Sequence, residues 1–215
     1  MSARSVGERL RFPGVRAPKP LLAPETERRL TARQRQLLDE LEELVVAKGL
    51  ADLTMAEIAA AVNCSLRTLY GISPSREELI LTVFDRRLRR IGRAGIESLD
   101  ASLAPLDALR AYLQAVNEAV QPEADTFAEL FAGLPGAKRL LDAHEGYVIA
   151  VTQNLLDRAV ASKAIAAIDT AALAHVLGGL GREFARPDVA EIITASPKAT
   201  ANAVTEIIIR GLERA

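Results

Sequence analysis

The chain has 215 residues, 49% of them hydrophobic and 26% charged, which is enough for one large domain or two small ones with a buried core. It has no apolar run of membrane-spanning length, its first residues lack the apolar stretch of a secretory signal, and its single cysteine excludes an internal disulfide framework. We therefore expect a cytoplasmic protein without a membrane partner.

The net charge of −1 is unevenly distributed along the chain. Residues 1–93 carry 17 Lys and Arg against 12 Asp and Glu, whereas residues 94–215 carry 10 against 16. This asymmetry makes a polyanion a candidate partner for the first part alone. Chance distribution in an arginine-rich chain gives the same pattern, so charge does not decide the matter.

The first 24 residues contain four prolines and no helical period of apolar residues. This composition predicts a flexible arm over residues 1–24. The arm is basic, and we expect its positive side chains to add non-specific phosphate contacts; they are Arg4, Arg9, Arg11, Arg16 and Lys19.

Three helices with clear start signals follow the arm. Apolar residues recur at helical spacing from Thr31 to Lys48, and Gly49 then favours a helix end. The sequence TMAE, which begins at Thr54, is a capping box that predicts a short helix over 54–62. Ser65 is a good N-cap for a second short helix that ends near Gly71.

A second capping box, SREE, begins at Ser75 and predicts a helix through residue 92. The two short helices, 54–62 and 65–71, are joined by a tight turn and so form a helix-turn-helix unit. A helix of two turns is not stable alone in water. We expect packing against helices 31–48 and 76–92 to hold helix 65–71, which leaves its outer face available for contact.

Beyond residue 93 the apolar periodicity predicts helices only. Pro105 and Pro122 each open one segment, and further helices are predicted over 138–161, 169–186 and 199–214. Gly178, Gly179 and Gly181 interrupt an otherwise helical run. A glycine inside a helix costs about 1 kcal/mol relative to alanine, so we expect either close packing there or a broken helix.

The chain shows little catalytic chemistry. It has two histidines, His144 and His175, and no spacing typical of a metal site, a nucleotide-binding loop or a catalytic triad. His144 lies beside Asp142 and Glu145, but a histidine that lines a core or pocket explains the pattern better than an acid–base site. We therefore expect no enzyme, no cofactor and no metal.

The run LLDELEELVVAKGLADLTMAEIAAAVNCSLRTLYGISPSREELILTVFDRRL resembles the N-terminal domain of TetR-family transcriptional regulators. The matching features are the break at Gly49, T-x-x-E-I-A from Thr54, S-x-x-T-L-Y from Ser65, and PSREEL from Pro74. They cover about a quarter of the chain, and the remainder agrees in being helical. The resemblance implies an all-α fold with a three-helix DNA-binding domain over residues 25–93.

The same resemblance implies roles for individual residues. Helix 65–71 would enter the DNA major groove, where Arg67 would read a guanine or hold a phosphate and Leu66 would contact a thymine methyl group. Thr68 and Tyr70 match positions that contact the DNA backbone. Thr54 and Arg76 would meet phosphates at helix starts. The complete predicted DNA-binding set is Thr54, Ser65, Leu66, Arg67, Thr68, Tyr70, Gly71 and Arg76.

One position departs from the family pattern. After TLY the family usually carries an aromatic or histidine pair that ends in Phe, whereas this chain has Gly71, Ile72 and Ser73. Ile72 offers no hydrogen bond to a phosphate, and Ser73 does not fill the core site of a Phe. This departure favours an alternative function, in which a TetR-like helical dimer binds a ligand or a protein without sequence-specific DNA recognition.

Residues 94–215 would form the ligand-binding and dimerisation domain of such a regulator. The expected ligand is small and apolar or amphipathic, and its pocket would be lined by Tyr112, Phe127, Phe131, His144 and Tyr147. The last two long helices would pair across a twofold axis through Leu173, Leu177, Gly178, Leu180, Ile207, Ile208 and Leu212. The resemblance thus predicts a homodimeric repressor that binds a palindromic operator and is released by the ligand.

Overall fold

The computed structural model describes residues 10–48, 53–120 and 134–214. Within these ranges the chain forms helices, turns and irregular segments and no β-strand, so the all-α prediction is confirmed. No helix in the described ranges is long and apolar enough to cross a bilayer. The helix predicted to open at Pro122 lies outside the described residues, as do Gly49, Phe127 and Phe131.

The helices of the described ranges are numbered here in chain order. They are α1 Pro24–Arg29, α2 Ala32–Lys48, α3 Met55–Ala61, α4 Leu66–Tyr70, α5 Arg76–Glu97, α6 Pro105–Ala119, α7 Ala137–Ala161, α8 Thr170–Phe184, α9 Pro187–Ala190 and α10 Pro197–Leu212. Helix α8 continues through its glycines without a break. Helices α1 and α9 are short additions that the periodicity did not predict.

Side-chain caps start the helices where the sequence predicts. The Thr54 hydroxyl accepts from the Glu57 amide at 3.3 Å, and the Glu57 carboxylate accepts from the Thr54 amide at 2.8 Å, which completes the capping box of α3. These hydrogen bonds lower the pKa of Glu57. The Ser65 hydroxyl caps α4, and the Ser75 hydroxyl accepts from the Glu78 amide at 3.2 Å. Such a cap contributes about 1 kcal/mol to helix stability.

The chain divides into two compact units. The first comprises residues 18–89 and the described part of 123–143, and the second comprises the described parts of 1–17, 90–122 and 144–215. The predicted division at residue 93 falls four residues beyond the division at residue 89. Helices α5 and α7 contribute residues to both units.

The core of the first unit is built from α2, α3, α4 and the first half of α5. Its most buried apolar side chains are Leu37, Leu38, Leu41, Ile58, Leu69, Leu79, Ile80 and Val83. Glu42 is also buried, at 3% exposure, and its Oε1 atom lies 3.3 Å from Nε of Arg86. Arg86 also lies 3.1 Å from Asp39 and 3.5 Å from Glu27, so one guanidinium links α1 and α2 to α5.

The core of the second unit surrounds Tyr112, and its fully buried side chains include Leu109, Val151, Leu155, Leu156 and Ile209. Two glycines allow helices to approach closely. A Cβ atom added at Gly95 would lie 2.7 Å from the Tyr112 ring, and one added at Gly178 would lie 2.7 Å from Ile149. Gly178 is therefore at a close helix contact, and the neighbouring helix is α7 of the same chain.

Ionic and amide hydrogen bonds join α6 to α10 in the second unit. Arg110 contacts Glu206 at 2.9 Å and Glu213 at 2.8 Å, and the Asn117 side chain donates to that of Asn202 at 2.8 Å. Helix α10 also packs against α8. These contacts place α8 and α10 side by side, each with one face toward the core.

The described part of the predicted flexible arm, residues 10–23, forms no helix but makes specific contacts. Within the second unit, the Phe12 ring lies 5.6 Å from the guanidinium of Arg158, which also donates to the Arg11 carbonyl. Within the first unit, the Leu21 amide donates to Asp85 at 3.0 Å, and Leu22 is buried in the core. The segment therefore differs from a freely flexible arm, because its apolar residues pack against the cores of the two units.

Candidate nucleic-acid interface

The turn between α3 and α4 is short and tightly bonded. Val62 ends α3, and Asn63 adopts the left-handed conformation with φ of 47°, as an asparagine at a helix end can. The Cys64 amide donates to the Ala59 carbonyl at 2.9 Å, so the chain turns back within three residues. Two short helices joined in this way form the predicted helix-turn-helix.

Helix α4 has only five residues, and its faces differ sharply. Leu69 is fully buried and anchors the helix to the core of the first unit. Leu66, Arg67 and Tyr70 point away from that core, and Leu66 is 42% exposed and Tyr70 53% exposed. An aliphatic, a cationic and an aromatic side chain thus share the outward side of one short, anchored helix. This face is the candidate interface.

The hydroxyl groups of α4 are engaged in its own cap. The Ser65 hydroxyl accepts from the Thr68 amide at 3.1 Å and lies 2.8 Å from the Thr68 hydroxyl. Both residues therefore hold the helix start in place. Their role in the predicted DNA-binding set remains a prediction, and any contact to a phosphate is additional to capping.

The departure from the family pattern has a structural explanation. Ile72 and Ser73 are both buried, at 5% and 3% exposure, and both of their amides donate to the Leu69 carbonyl. Ile72 therefore supplies the core contact that was expected to be missing after α4. Gly71 is exposed and is a glycine, so the surface directly after Tyr70 carries no side chain. Its φ of −74° is one that any residue can adopt.

The helix starts on either side of α4 are partly occupied by the protein itself. The Thr54 hydroxyl lies 2.8 Å from a Glu57 carboxylate oxygen, and the Arg76 side chain donates to the Leu53 carbonyl. The first turn of α5 also carries Glu77 and Glu78. Two carboxylates there repel a phosphate, so the start of α5 is less favourable to DNA than the resemblance implies.

Arg67 differs from Arg33 and Arg86 of the first unit in its ionic contacts. Arg33 pairs with Glu40 at 2.8 Å, and Arg86 pairs with three carboxylates. In the described ranges, Arg67 lies within ion-pair distance of no carboxylate. Among the described residues no carboxylate neutralises its charge, so the guanidinium is available to an anionic partner.

Sequence reasoning missed a supporting residue beneath this interface. Arg33 of α2 donates to the Val62 carbonyl at 3.3 Å and so bonds the C-cap residue of α3. The only sequence signal was a basic residue near the start of α2. The same arginine partly offsets the burial that raises the pKa of the nearby Cys64 thiol.

The predicted ligand-binding residues are buried where the structure describes them. Tyr112 and His144 are 0% and 6% exposed, and Tyr147 is half-buried. Burial raises the pKa of both tyrosines above the ordinary value of a phenol. The Tyr112 hydroxyl has no hydrogen-bond partner within the described part of the chain. A surface pocket of about 360 Å³ lies elsewhere in the second unit, lined by Arg93, Ile96, Glu97 and Leu99.

The predicted dimerisation residues divide into two groups. Most pack against the core of their own unit, namely Leu173, Leu177, Leu180, Ile208 and Leu212, and Gly178 packs against α7. Ile207 is 70% exposed, and Val176, which was not predicted, is 50% exposed. Ala172 and Ala203 lie one turn earlier on the same helices and are also exposed. We call Ala172, Val176, Ala203 and Ile207 the α8–α10 stripe.

The described ranges contain no group of three His, Cys, Asp or Glu residues that could hold a metal ion. The sequence matches no protein-family model and no curated protein. Comparison therefore depends on solved structures, and 141 chains are significantly similar to this one.

Three of these structures illustrate the similarity. A TetR-family transcriptional regulator, PfmR from Thermus thermophilus, is 23% identical with a TM-score of 0.60, over 83% of this chain and 99% of that one. A regulatory protein of the TetR family from Rhodococcus is 17% identical with a TM-score of 0.64, over 85% and 98%. The fatty acid degradation regulator FadR from Bacillus halodurans is 13% identical with a TM-score of 0.66, over 86% and 98%.

These similarities cover nearly the whole length of each regulator. They show that the chain has the fold of TetR-family transcriptional regulators, as the sequence motifs predicted. At such low identity the fold is what they establish, and the function has to be argued from the site.

Proposed function

We propose that the protein is a DNA-binding transcriptional regulator that acts as a homodimer. The observation that carries the proposal is the exposed face of α4, where Leu66, Arg67 and Tyr70 extend from a helix that its caps and Leu69 hold in place. This combination suits a recognition helix, because a backbone that is already fixed loses less entropy when its side chains enter the major groove.

Charge supports nucleic acid as the partner of the first unit. Arg67 has no carboxylate partner in the described ranges, and a guanidinium binds both phosphate oxygens and guanine edges. The burial of Ile72 and Ser73 also weakens the alternative without specific DNA recognition, since these residues complete the core behind α4.

The α8–α10 stripe supports a second copy of the chain as the other partner. Val176 and Ile207 are large exposed apolar side chains on adjacent packed helices, and the alanines beside them allow another helix to approach closely. A twofold axis through such a stripe forms a self-complementary contact. Two α4 helices would then enter successive major grooves about 34–36 Å apart, which requires a palindromic operator.

Regulation by a small ligand is the remaining part of the proposal. The repressor role and the release from DNA are carried over from the resemblance to the family. The similarity to a fatty acid degradation regulator makes fatty acids the first ligand class to test. A ligand acts only through its differential affinity for the DNA-bound and free states, typically about 1–3 kcal/mol, and DNA must weaken ligand binding by the same factor.

The test is selection of binding sites from a random duplex pool, followed by measurement of Kd for the selected and a scrambled duplex at two salt concentrations. We expect one palindromic sequence to be enriched and to bind at least about 1,000-fold more tightly than the scrambled duplex. Arg67→Ala should remove most of that preference. The matched control is Lys198→Ala, which removes an exposed positive charge from the second unit and should leave it unchanged.

Equal binding of selected and scrambled duplexes would refute the regulator proposal in favour of the alternative function. Sedimentation gives an independent test of the dimer. A monomeric protein at micromolar concentration would contradict the paired half-sites, and Ile207→Glu should convert a dimer into such a monomer while leaving the helical content intact.

A further inference from the structure

We infer that α4 recognises a guanine and a 5-methyl-bearing pyrimidine in neighbouring base pairs of each half-site, through Arg67 and Leu66 respectively. Thymine is the ordinary base with such a methyl group. The inference rests on the proposed function and makes it chemically specific, because it states which groups in the groove the protein reads.

The structure leaves three side chains of α4 that can contact DNA. Leu69 is fully buried, and the Thr68 hydroxyl is held against the Ser65 hydroxyl at 2.8 Å. Gly71 contributes no side chain after the helix. Leu66, Arg67 and Tyr70 therefore remain as the outward groups of the helix.

Position along the helix assigns different tasks to these three residues. Recognition helices contact base edges with their N-terminal residues. Leu66 and Arg67 are the first two residues of α4, and Tyr70 is the last. We therefore assign base contacts to Leu66 and Arg67 and a backbone contact to Tyr70, whose hydroxyl can donate to a phosphate.

The chemistry of Arg67 selects guanine. Its guanidinium carries only donors, and guanine is the base that presents two acceptors, N7 and O6, in the major groove. The described ranges place no carboxylate within ion-pair distance of Arg67, so no internal acceptor competes for those donors. Helix α4 has no Asn or Gln to pair with adenine and no Asp or Glu to accept from cytosine.

The chemistry of Leu66 selects a methyl group. Its side chain is 42% exposed and has no polar atom, so in the groove it gains only by covering apolar surface. The C5-methyl group of thymine is the apolar feature of a major-groove edge. Leu66 and Arg67 are consecutive in the first turn of α4, so both side chains start from one point along the groove and reach the same short stretch of base pairs, which are about 3.4 Å apart.

The experiment uses base analogues in the operator obtained by selection, with Kd measured by fluorescence anisotropy at fixed salt. Each guanine is replaced in turn by 7-deazaguanine, which lacks the N7 acceptor, and each thymine by deoxyuridine, which lacks the methyl group. For the wild-type protein we expect one guanine per half-site whose replacement weakens binding about 5-fold or more. We expect one adjacent thymine whose replacement weakens it about 4-fold, equivalent to one buried methyl group.

The two variants assign each effect to its side chain. Arg67→Ala should bind the 7-deazaguanine operator and the parent operator equally, while it still discriminates against deoxyuridine. Leu66→Ala should show the reverse. Unchanged thermal unfolding of both variants shows that the exposed substitutions leave the fold intact.

Two outcomes overturn the inference while the regulator proposal stands. One is a specifically bound operator that neither analogue weakens. The other is an Arg67→Ala variant that loses affinity equally for all duplexes, with a salt slope smaller by about one, because this result identifies a phosphate contact. Failure to enrich any sequence overturns the regulator proposal and the inference together, so the two failures are distinguishable.

Discussion

Replacing Gly95 by alanine should destabilise the protein, although the same change in an exposed helix would stabilise it. Gly95 lies inside α5, and an added Cβ would be 2.7 Å from both the Tyr112 ring and a Val116 methyl group. Both neighbours are buried, at 0% and 8% exposure, so neither can swing away into solvent. The methyl group can be accommodated only if the packing of α6 against α5 shifts.

Two opposing contributions set the magnitude. Alanine loses less backbone entropy than glycine on folding into a helix, which favours the variant by about 1 kcal/mol. Overpacking of a closed core costs about 1–3 kcal/mol, and the upper value applies here because the added methyl group overlaps two buried side chains. The expected net loss is about 2 kcal/mol, which corresponds to a fall in Tm of about 4–8 °C for a chain of this size.

The matched control is Gly146→Ala. Gly146 lies inside α7, is exposed, and has no atom within 4 Å of an added Cβ. This variant should gain about 0.5–1 kcal/mol. Thermal unfolding of both variants at one protein concentration tests the pair, since dimerisation makes Tm concentration-dependent. A Gly95→Ala protein as stable as Gly146→Ala would refute the close contact between α5 and Tyr112.

Three further changes have defined outcomes. Tyr112→Phe should raise stability by about 1 kcal/mol in thermal unfolding, because it removes a buried hydroxyl that has no partner in the described ranges. Ser65→Ala should lower stability by about 1 kcal/mol and also weaken operator binding in the anisotropy assay, because it removes the cap that fixes α4. Glutamine at Arg11, Arg16 and Lys19 together should reduce the salt slope of DNA binding by about 2–3 if all three meet phosphates, and an unchanged slope would show that the arm takes no part.

Neutralising the arm is a cleaner test than deleting residues 1–24. Deletion also removes Leu22 from the core of the first unit and Phe12 from its contact with Arg158. A truncated protein would therefore lose stability as well as charge. Arg11, Arg16 and Lys19 are exposed, so their substitution changes charge alone.

Local signals predicted the helix-turn-helix accurately. The Thr54 capping box, the Ser65 cap and the left-handed Asn63 each involve residues within a few positions of one another, so the sequence contains the whole interaction. The helices of the second unit were likewise predictable, from the helical spacing of their apolar residues. Helix α4 was predictable as an element because its start and its end are both encoded locally.

Contacts between distant segments were not predictable in the same way. The residue that Gly178 packs against, Ile149, lies 29 positions away, and no local pattern connects the two. Glu42 is an unusual residue for a buried helix position, and only the structure shows that Arg86 neutralises it. The resemblance placed Leu177 in the dimer interface, and the structure buries it in the core of its own unit. A helix that faces both a core and a partner has two apolar stripes, and periodicity does not assign a residue to one or the other.

The position of the single cysteine makes the protein convenient for spectroscopy. Cys64 is half-buried in the turn that precedes α4, and the chain has no second thiol to compete for a label. A small fluorophore or spin label attached there would lie three residues from Arg67 without any other substitution in the protein. Because burial raises the pKa of this thiol, labelling should be slow at neutral pH and accelerate as the pH rises.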